Sequence, residues 1–306
     1  MQEFHFLITE ECENERLDKA LSELTDDTVS RSYLQKLIKD NQIFVNDKPQ
    51  KASYKLKVDD YVSFVIPDHA EPDVVPEKMD LDILYEDEDV IVVNKPKGMV
   101  VHPAAGHFEH TLVNGLMYHC KDSLSGINGV LRPGIVHRID KDTTGSIIAC
   151  KNDMAHKEIA AQLKEHSIVR KYRAICAGVI KEDDGTVNAP IGRDEKDRKK
   201  MSVNPKNSKE AITHYHVLER FKDYTYIECV LETGRTHQIR VHMASIGHPL
   251  LGDEVYSSRK WPYKLVGQTL HAYILGFKHP RNSQYIETVA PLPEYFVLLL
   301  DKLRKM

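Results

Sequence analysis

Residues 134–151 read G-I-V-H-R-I-D-K-D-T-T-G-S-I-I-A-C-K. A short apolar run gives way to the polar stretch His137, Arg138, Asp140, Lys141, Asp142, Thr143 and Thr144, and a second apolar run resumes at Ser146. The pattern predicts a polar loop held between two buried strands, since short apolar runs bounded by turn residues are what core strands look like. Any fold for this chain must bury both runs and leave the loop at the rim of the core. Burial would raise the pKa of a carboxylate placed there unless a cation opposed the shift, and Arg138 and Arg235 are the candidate cations. The residues alone equally describe a plain turn, with Asp140 and Asp142 as turn formers and Thr143 and Gly145 completing it.

The rest of the chain narrows the class. At 306 residues it has room for one large domain or one domain with an appendage. The formal charge of -4 does not by itself indicate a nucleic-acid binder, but the charge is unevenly spread. Residues 1–28 hold nine acids against Arg16 and Lys19, whereas residues 29–57 hold Arg31, Lys36, Lys39, Lys48, Lys51, Lys55 and Lys57 against Asp40 and Asp47. The five cysteines are odd in number, widely spaced and contain no C-x-x-C pair, which argues against a disulfide framework and a zinc knuckle. The start lacks a basic segment followed by a long apolar one, so a cytoplasmic, non-membrane protein is expected. Of the sixteen histidines, His237 and His242 are five apart, off the spacing of a helical zinc pair, and His214-x-His216 has no third ligand at a recognisable distance. No metal is expected. The Gly-rich loop before residue 134 lacks both phosphate-binding fingerprints, so no nucleotide cofactor is expected either.

Taken in order, residues 4–8 alternate as a strand, and Leu17, Ala20, Leu21 and Leu24 recur at helical intervals. A second helix follows, with Ser30 as N-cap and Tyr33, Leu34, Leu37 and Ile38 on its apolar face. Two strands joined through an Asn46-Asp47 turn complete a small domain, 1–66. Residues 67–79 have linker composition, with three prolines among acids, and 80–306 form the main domain. In it, Lys95-Pro96-Lys97-Gly98 breaks a strand sharply, as a turn with exposed lysines that shapes the floor of the pocket; a helix is expected near residues 111–119. A second, amphipathic helix places Ala155, Ile159 and Leu163 inward; Tyr172 lies in a strand, and a helix ends at Gly247. Residues 193–209 carry seven bases against three acids, including Arg198, Lys199 and Lys200, as a protruding loop or hairpin.

Three stretches carry a resemblance. H-R-I-D-x-x-T-T-G at residues 137–145 resembles the catalytic signature of the RluA/RluD family of pseudouridine synthases, and V-N-K-P-K-G-M-V-V-H-P (93–103) and L-E-T-G-R-T-H-Q-I-R-V-H-M (231–243) match that family in the same order. Ile139 and Thr144 stand where Leu and Ser are frequent, changes that keep size and polarity. The helix-helix-hairpin order at the start, with S-R-S-x-L-Q-K-L-I, resembles the small α-L RNA-binding domain of a ribosomal protein and some tRNA synthetases.

The resemblance implies an α+β fold with a mixed, largely antiparallel sheet and a cleft across it. It implies an isomerase of uridines in structured RNA, ribosomal RNA of the large subunit before tRNA, acting as a monomer and without a cofactor. Asp140 is implied as the catalytic residue, Tyr172 as the ring that stacks on the target base, Arg235 as the base paired with Asp140, and Arg138 as the side chain filling the space the base vacates. Arg31, Lys36, Lys39, Lys48, Lys51, Arg198, Lys199 and Lys200 are candidate phosphate contacts, although solvated surface would explain them too. Detaching uracil, turning it and rejoining it through carbon adds no atoms, so one carboxylate suffices, as nucleophile or as base. A glycosidase would need two carboxylates about 5–9 Å apart. The non-enzyme alternative is an RNA-binding assembly factor.

Overall fold

The computed structural model describes residues 2–25, 29, 31–66, 74–103, 107–127, 132–195, 197, 200–204 and 206–306, with only the backbone described at 2, 31–33, 36 and 122. Ser30, Lys196, Arg198 and Lys199, residues 67–73 of the expected linker and 128–131 of the Gly-rich loop lie outside the described residues. The chain divides into two compact units, Met1–Pro72 and Asp73–Met306.

The N-terminal unit holds β1 (Gln2–Leu7), α1 (Leu17–Leu24), α2 (Arg31–Lys39), β2 (Ile43–Val45), β3 (Lys48–Pro49) and β4 (Tyr61–Ile66). Its strands order as β1-β4-β2-β3, all antiparallel. The β2–β3 hairpin turns on Asn46 and Asp47, both at positive φ (51° and 61°), the backbone a two-residue hairpin needs and one that Asn and Asp tolerate. Leu17, Ala20 and Leu21 of α1 pack with Leu34, Leu37 and Ile38 of α2 over this sheet.

In the second unit, β5 (Ile83–Glu86), β6 (Val90–Lys95), α3 (Leu112–Cys120), β7 (Thr144–Cys150), α4 (Asp153–Lys164), β8 (Val169–Ala177), β9 (Asp184–Asn188), β10 (Ile191–Arg193), β11 (Met201–Val203), β12 (Ile212–Arg220), β13 (Tyr224–Leu231), α5 (Gln238–Ser245), β14 (Leu270–Lys278), β15 (Tyr285–Val289) and α6 (Glu294–Arg304) follow in turn. The main sheet runs β5-β6-β7-β14-β8-β13-β12-β9, with β15 on β14. Only β7–β14 is parallel, so the α+β, largely antiparallel architecture is as expected. β10 and β11 pair antiparallel as a separate two-stranded sheet, with Lys200 immediately before β11.

β6 and β7 are buried on both faces. Ile91, Val93, Ile147 and Ala149 enter one core, and Val90, Val92, Ile148 and Cys150 enter another, completed by Ala155 and Ile159 of α4. That is why both strands read as unbroken apolar runs. The apolar run before the central loop differs from expectation: residues 134–136 form no strand and make an isolated bridge, Ile135 to Ala149, on the edge of β7 beyond its two-residue pairing with β14. Residues 74–79 run along α3 rather than free. Val74 is buried in the main core, the Asn114 side chain donates to the Val75 carbonyl, and the Glu77 carboxylate accepts from the His110 amide.

The β7–β14 crossing sets the position of the central loop. At its start Gly145 has φ +106°, and a Cβ there would fall on the Ala272 backbone, its carbonyl oxygen above all. Gly145→Ala is therefore expected to destabilise the protein by about 2–4 kcal/mol, measured by urea unfolding. An unchanged midpoint would mean that the two strands are not so closely apposed.

Candidate active site

The loop entering β7 carries Asp140 to a cleft lined by Arg138, Ile139, Thr143, Tyr172, Leu231 and Leu270, together with residues 235–240 apart from Thr236. Its floor is apolar. Asp140 is the only carboxylate lining it among the described residues, and its side chain is 20% exposed. Asp142 points elsewhere, against the backbone at Gly267, so the cleft does not hold the carboxylate pair a glycosidase would need.

The cation on Asp140 is Arg240, not Arg235. Arg240 Nη1 donates to Asp140 Oδ2 at 2.9 Å, while its Nε and Nη2 donate to the two oxygens of Asp253 at 2.7 and 3.0 Å. Asp253 also accepts the Val255 and Tyr256 amides, and the guanidinium lies 5.1 Å from the Tyr256 ring centroid. Burial works against this charge, but the pairs with Asp253 and Asp140 outweigh it and raise the Arg240 pKa. Arg235 lines the mouth of the cleft and its Nε donates to the Glu210 carbonyl at 2.9 Å. The reason is the geometry of the α5 start. His237 sits at φ 57°, and α5 begins only at Gln238, which turns Arg240 inward and leaves Arg235 in the preceding loop.

His237 Nε2 stands 3.7 Å from Asp140 Oδ1, and its Nδ1 bonds the Tyr256 hydroxyl at 2.7 Å. Burial pushes this imidazole below the ordinary histidine value, against the pull of Asp140. Tyr172 lies on the buried face of β8, between Cys229 of β13 and Ala272 of β14, and burial raises its phenol pKa, so the ring enters the cleft uncharged. Arg138 is exposed at the rim.

Below the loop lies a residue that strand-breaking logic misreads. Lys95 is fully buried rather than exposed, and its ammonium donates to the carbonyls of Pro96, Met99 and Lys141 at 2.9, 2.9 and 3.0 Å. The Gly98 amide donates to that same Lys141 carbonyl. The residue after Asp140 is thus clamped from beneath, and Lys95 acts as a positioning residue. Burial pushes its pKa down to about 7, against the pull of Asp142 and Asp140.

Of the other expected contacts, Lys39, Lys48 and Lys51 are exposed in the N-terminal unit and Lys200 is half-buried immediately before β11. For Arg31 and Lys36 only the α2 backbone is described. Asp87, Asp89 and His279 come within metal-binding reach of one another, but Arg281 donates twice to Asp89 and His279 bonds Asp87. This group ties the β5–β6 turn to the β14–β15 turn.

Residues 89–245 match the RNA pseudouridylate synthase family. The chain belongs to that family. It is 55% identical to the uncharacterized RNA pseudouridine synthase YlyB of Bacillus subtilis (strain 168), over 100% of this chain and 99% of that one. It is 46% identical to the ribosomal large subunit pseudouridine synthase D of Zymomonas mobilis, over 97% of this chain and 96% of that one. The fold is shared with human RNA pseudouridylate synthase domain containing 1, with a TM-score of 0.58 and 24% identity over 74% of this chain and 96% of that one. The RluA/RluD resemblance therefore holds, and the chain is an RNA pseudouridine synthase.

In this synthase the missed residues are Arg240, Asp253, Tyr256 and Lys95. One signal was available for Arg240: α5 is apolar on several sides, with Ile239, Val241 and Met243 all buried, and a charged side chain inside such a helix must have a partner. Asp253 and Tyr256 belong to a loop with no motif.

Arg240→Lys removes the planar fork that serves two carboxylates at once. It should lower kcat roughly 100-fold or more in single-turnover pseudouridine formation, whereas Arg235→Lys should act mainly on KM; equal kcat losses would overturn the division of roles. Burial lowers the pKa of Lys95 to about 7 in the folded protein, against about 10.4 in the unfolded chain. Between these values the unfolded chain holds the proton more fully than the folded one, so this group makes stability rise with pH. Relative to Lys95→Met, the wild type should gain on the order of 1 kcal/mol per pH unit from pH 7 to 9, read by urea unfolding. A flat difference would contradict the shifted pKa.

Proposed function

We propose that Asp140 is the catalytic carboxylate of this synthase and that its substrate is a uridine in large-subunit ribosomal RNA. One observation carries the first part: a carboxylate that is alone in an apolar-floored cleft among the described residues and accepts a 2.9 Å hydrogen bond from a buried arginine. The target uridine leaves its stack to reach the cleft, with its ring against Tyr172 and Arg138 entering the space it vacates. The C1′–N1 bond breaks, the uracil turns, C1′–C5 forms, and the C5 proton is lost while N1 gains one. Asp140 serves either by attacking C1′ or by taking a proton from the sugar. The apolar floor keeps water from the activated sugar, and Arg240 holds the carboxylate in register.

The ribosomal substrate is supported by several relatives, 41–46% identical, that carry the name of a large-subunit enzyme. We read the N-terminal unit as an α-L RNA-binding domain: Lys39 and Lys51 flank a groove of about 690 Å³ on its surface, a place for backbone phosphates. The β10–β11 pair is read as a second RNA contact through Lys200 and its neighbours. A monomer in the cytoplasm suits that substrate; among the described residues no helix is long and apolar enough to cross a membrane.

Tritium release from RNA labelled at uracil C5 tests the reading. Wild type should release tritium from unmodified large-subunit RNA and little from tRNA, and Asp140→Asn from neither. Release by Asp140→Asn would remove the carboxylate's role, and a preference for tRNA would overturn the substrate. Reversing Lys39 and Lys51 to Glu should weaken RNA affinity about tenfold or more and flatten its salt dependence by about 1 to 2 in log–log slope. An unchanged slope would mean that the groove does not meet phosphate.

A further inference from the structure

Beside the catalytic cleft lies a second concavity of about 410 Å³, lined in part by Arg138, Lys164, His166, Arg170, Tyr172 and Arg235. It shares Arg138, Tyr172, Leu231 and Arg235 with the cleft, so the two adjoin. No carboxylate lines it among the described residues.

Arg170 is the unusual member. It is two residues before Tyr172 on the same face of β8 and only 7% exposed. Its Nη2 donates to the Glu232 carbonyl at 3.0 Å, and its Nε is buried with no hydrogen-bond partner. Among the described residues it makes no ion pair, in contrast to Arg240 and to Arg173, which faces Glu228. A buried guanidinium normally requires a counter-charge. The chain also makes room for it: a Cβ on Gly234 would come within 2.5 Å of Arg170 Nη1. His137, alongside, accepts the Ile148 amide at Nε2 and is therefore neutral, with burial and then Arg170 pushing its pKa down to about 3. It adds no competing charge. Lys164 and His166, at the end of α4, are exposed at the rim.

We infer that this concavity is a phosphodiester subsite, in which Arg170 receives a backbone phosphate of the RNA strand next to the uridine that enters the cleft, with Arg235, Lys164 and His166 around it. The inference rests on the RNA reading of the cleft. The phosphate supplies the anion that the protein does not, and it fixes the strand on one side of Tyr172 so that the flipped nucleotide arrives with its sugar toward Asp140. A phosphate suits the site better than a carboxylate ligand, because cations approach it from several elements at once.

The test uses the full-length protein and a short synthetic RNA spanning a uridine that the wild type modifies in a large-subunit transcript. Single methylphosphonates, which remove one phosphate charge each, are placed at successive linkages around that uridine, and tritium release is followed. In the wild type a neutral linkage adjacent to the target should raise KM about tenfold or more with kcat at saturation changed little. In Arg170→Met that same linkage should have no further effect, while Arg170→Lys should retain part of the sensitivity. The rim variant Lys164→Ala/His166→Ala does not touch the core, so it gives an answer even if Arg170→Met folds poorly. Its KM should rise and its log–log salt slope fall by about 0.7 for each phosphate no longer neutralised. Linkage sensitivities that remain as strong in Arg170→Met, or a rim variant with wild-type KM and salt slope, would overturn the subsite. Absence of release by wild type from any RNA would instead overturn the reading of the cleft itself.

Discussion

The arrangement of the cleft depends on one guanidinium that serves two carboxylates. Arg240 gives one edge to Asp253, almost fully buried, and one nitrogen to Asp140, which faces the cleft. Asp253 is itself held by two backbone amides, so the pair behaves as a fixed positive end into which Asp140 docks. Removing either partner of such a buried pair leaves an uncompensated charge and costs about 3–5 kcal/mol. The benefit is directional: a fixed guanidinium sets which way the Asp140 carboxylate faces in the cleft.

A second device works from below. Lys95 ends β6 and gathers three carbonyls, one of them from the residue after Asp140. Arg240 thus fixes the carboxylate and Lys95 fixes the backbone that carries it. Both depend on the β6–β7–β14 arrangement, where the close crossing at Gly145 lets β14 approach the loop. Thr144 and His271 are hydrogen-bonded across that crossing, and Gln268 donates to Thr143, so the loop is anchored at several points between Lys141 and Gly145. A polar loop with this many internal partners is held in place by the protein itself.

Charge is distributed in a way that the net value conceals. Arg240 of the second unit's interior is paired with carboxylates, whereas in the concavity beside the cleft cations gather without a lining acid among the described residues. The chain as a whole is acidic, but the surface next to the chemistry is not. This is the arrangement expected when the missing anions belong to the substrate.

Much of the protein was legible in the linear chain. The apolar runs of β6 and β7, the helical spacing of α1, α2 and α4, the Asn46-Asp47 turn and the loop bearing Asp140 follow from local periodicity and turn chemistry, which act over a few residues. The motifs at residues 93–103, 137–145 and 231–243 identified the family because their chemistry is concentrated in short segments. Only the tertiary structure decided which arginine meets Asp140. Arg235 and Arg240 lie in one motif, and the choice depends on the left-handed turn at His237 and on Asp253, from the loop that follows α5. Only the tertiary structure turned Lys95 from an apparent surface lysine into an internal clamp, because its three acceptors come from two separate segments. Local sequence specifies backbone conformation, whereas charge pairing in a core is a property of elements brought together across a hundred residues.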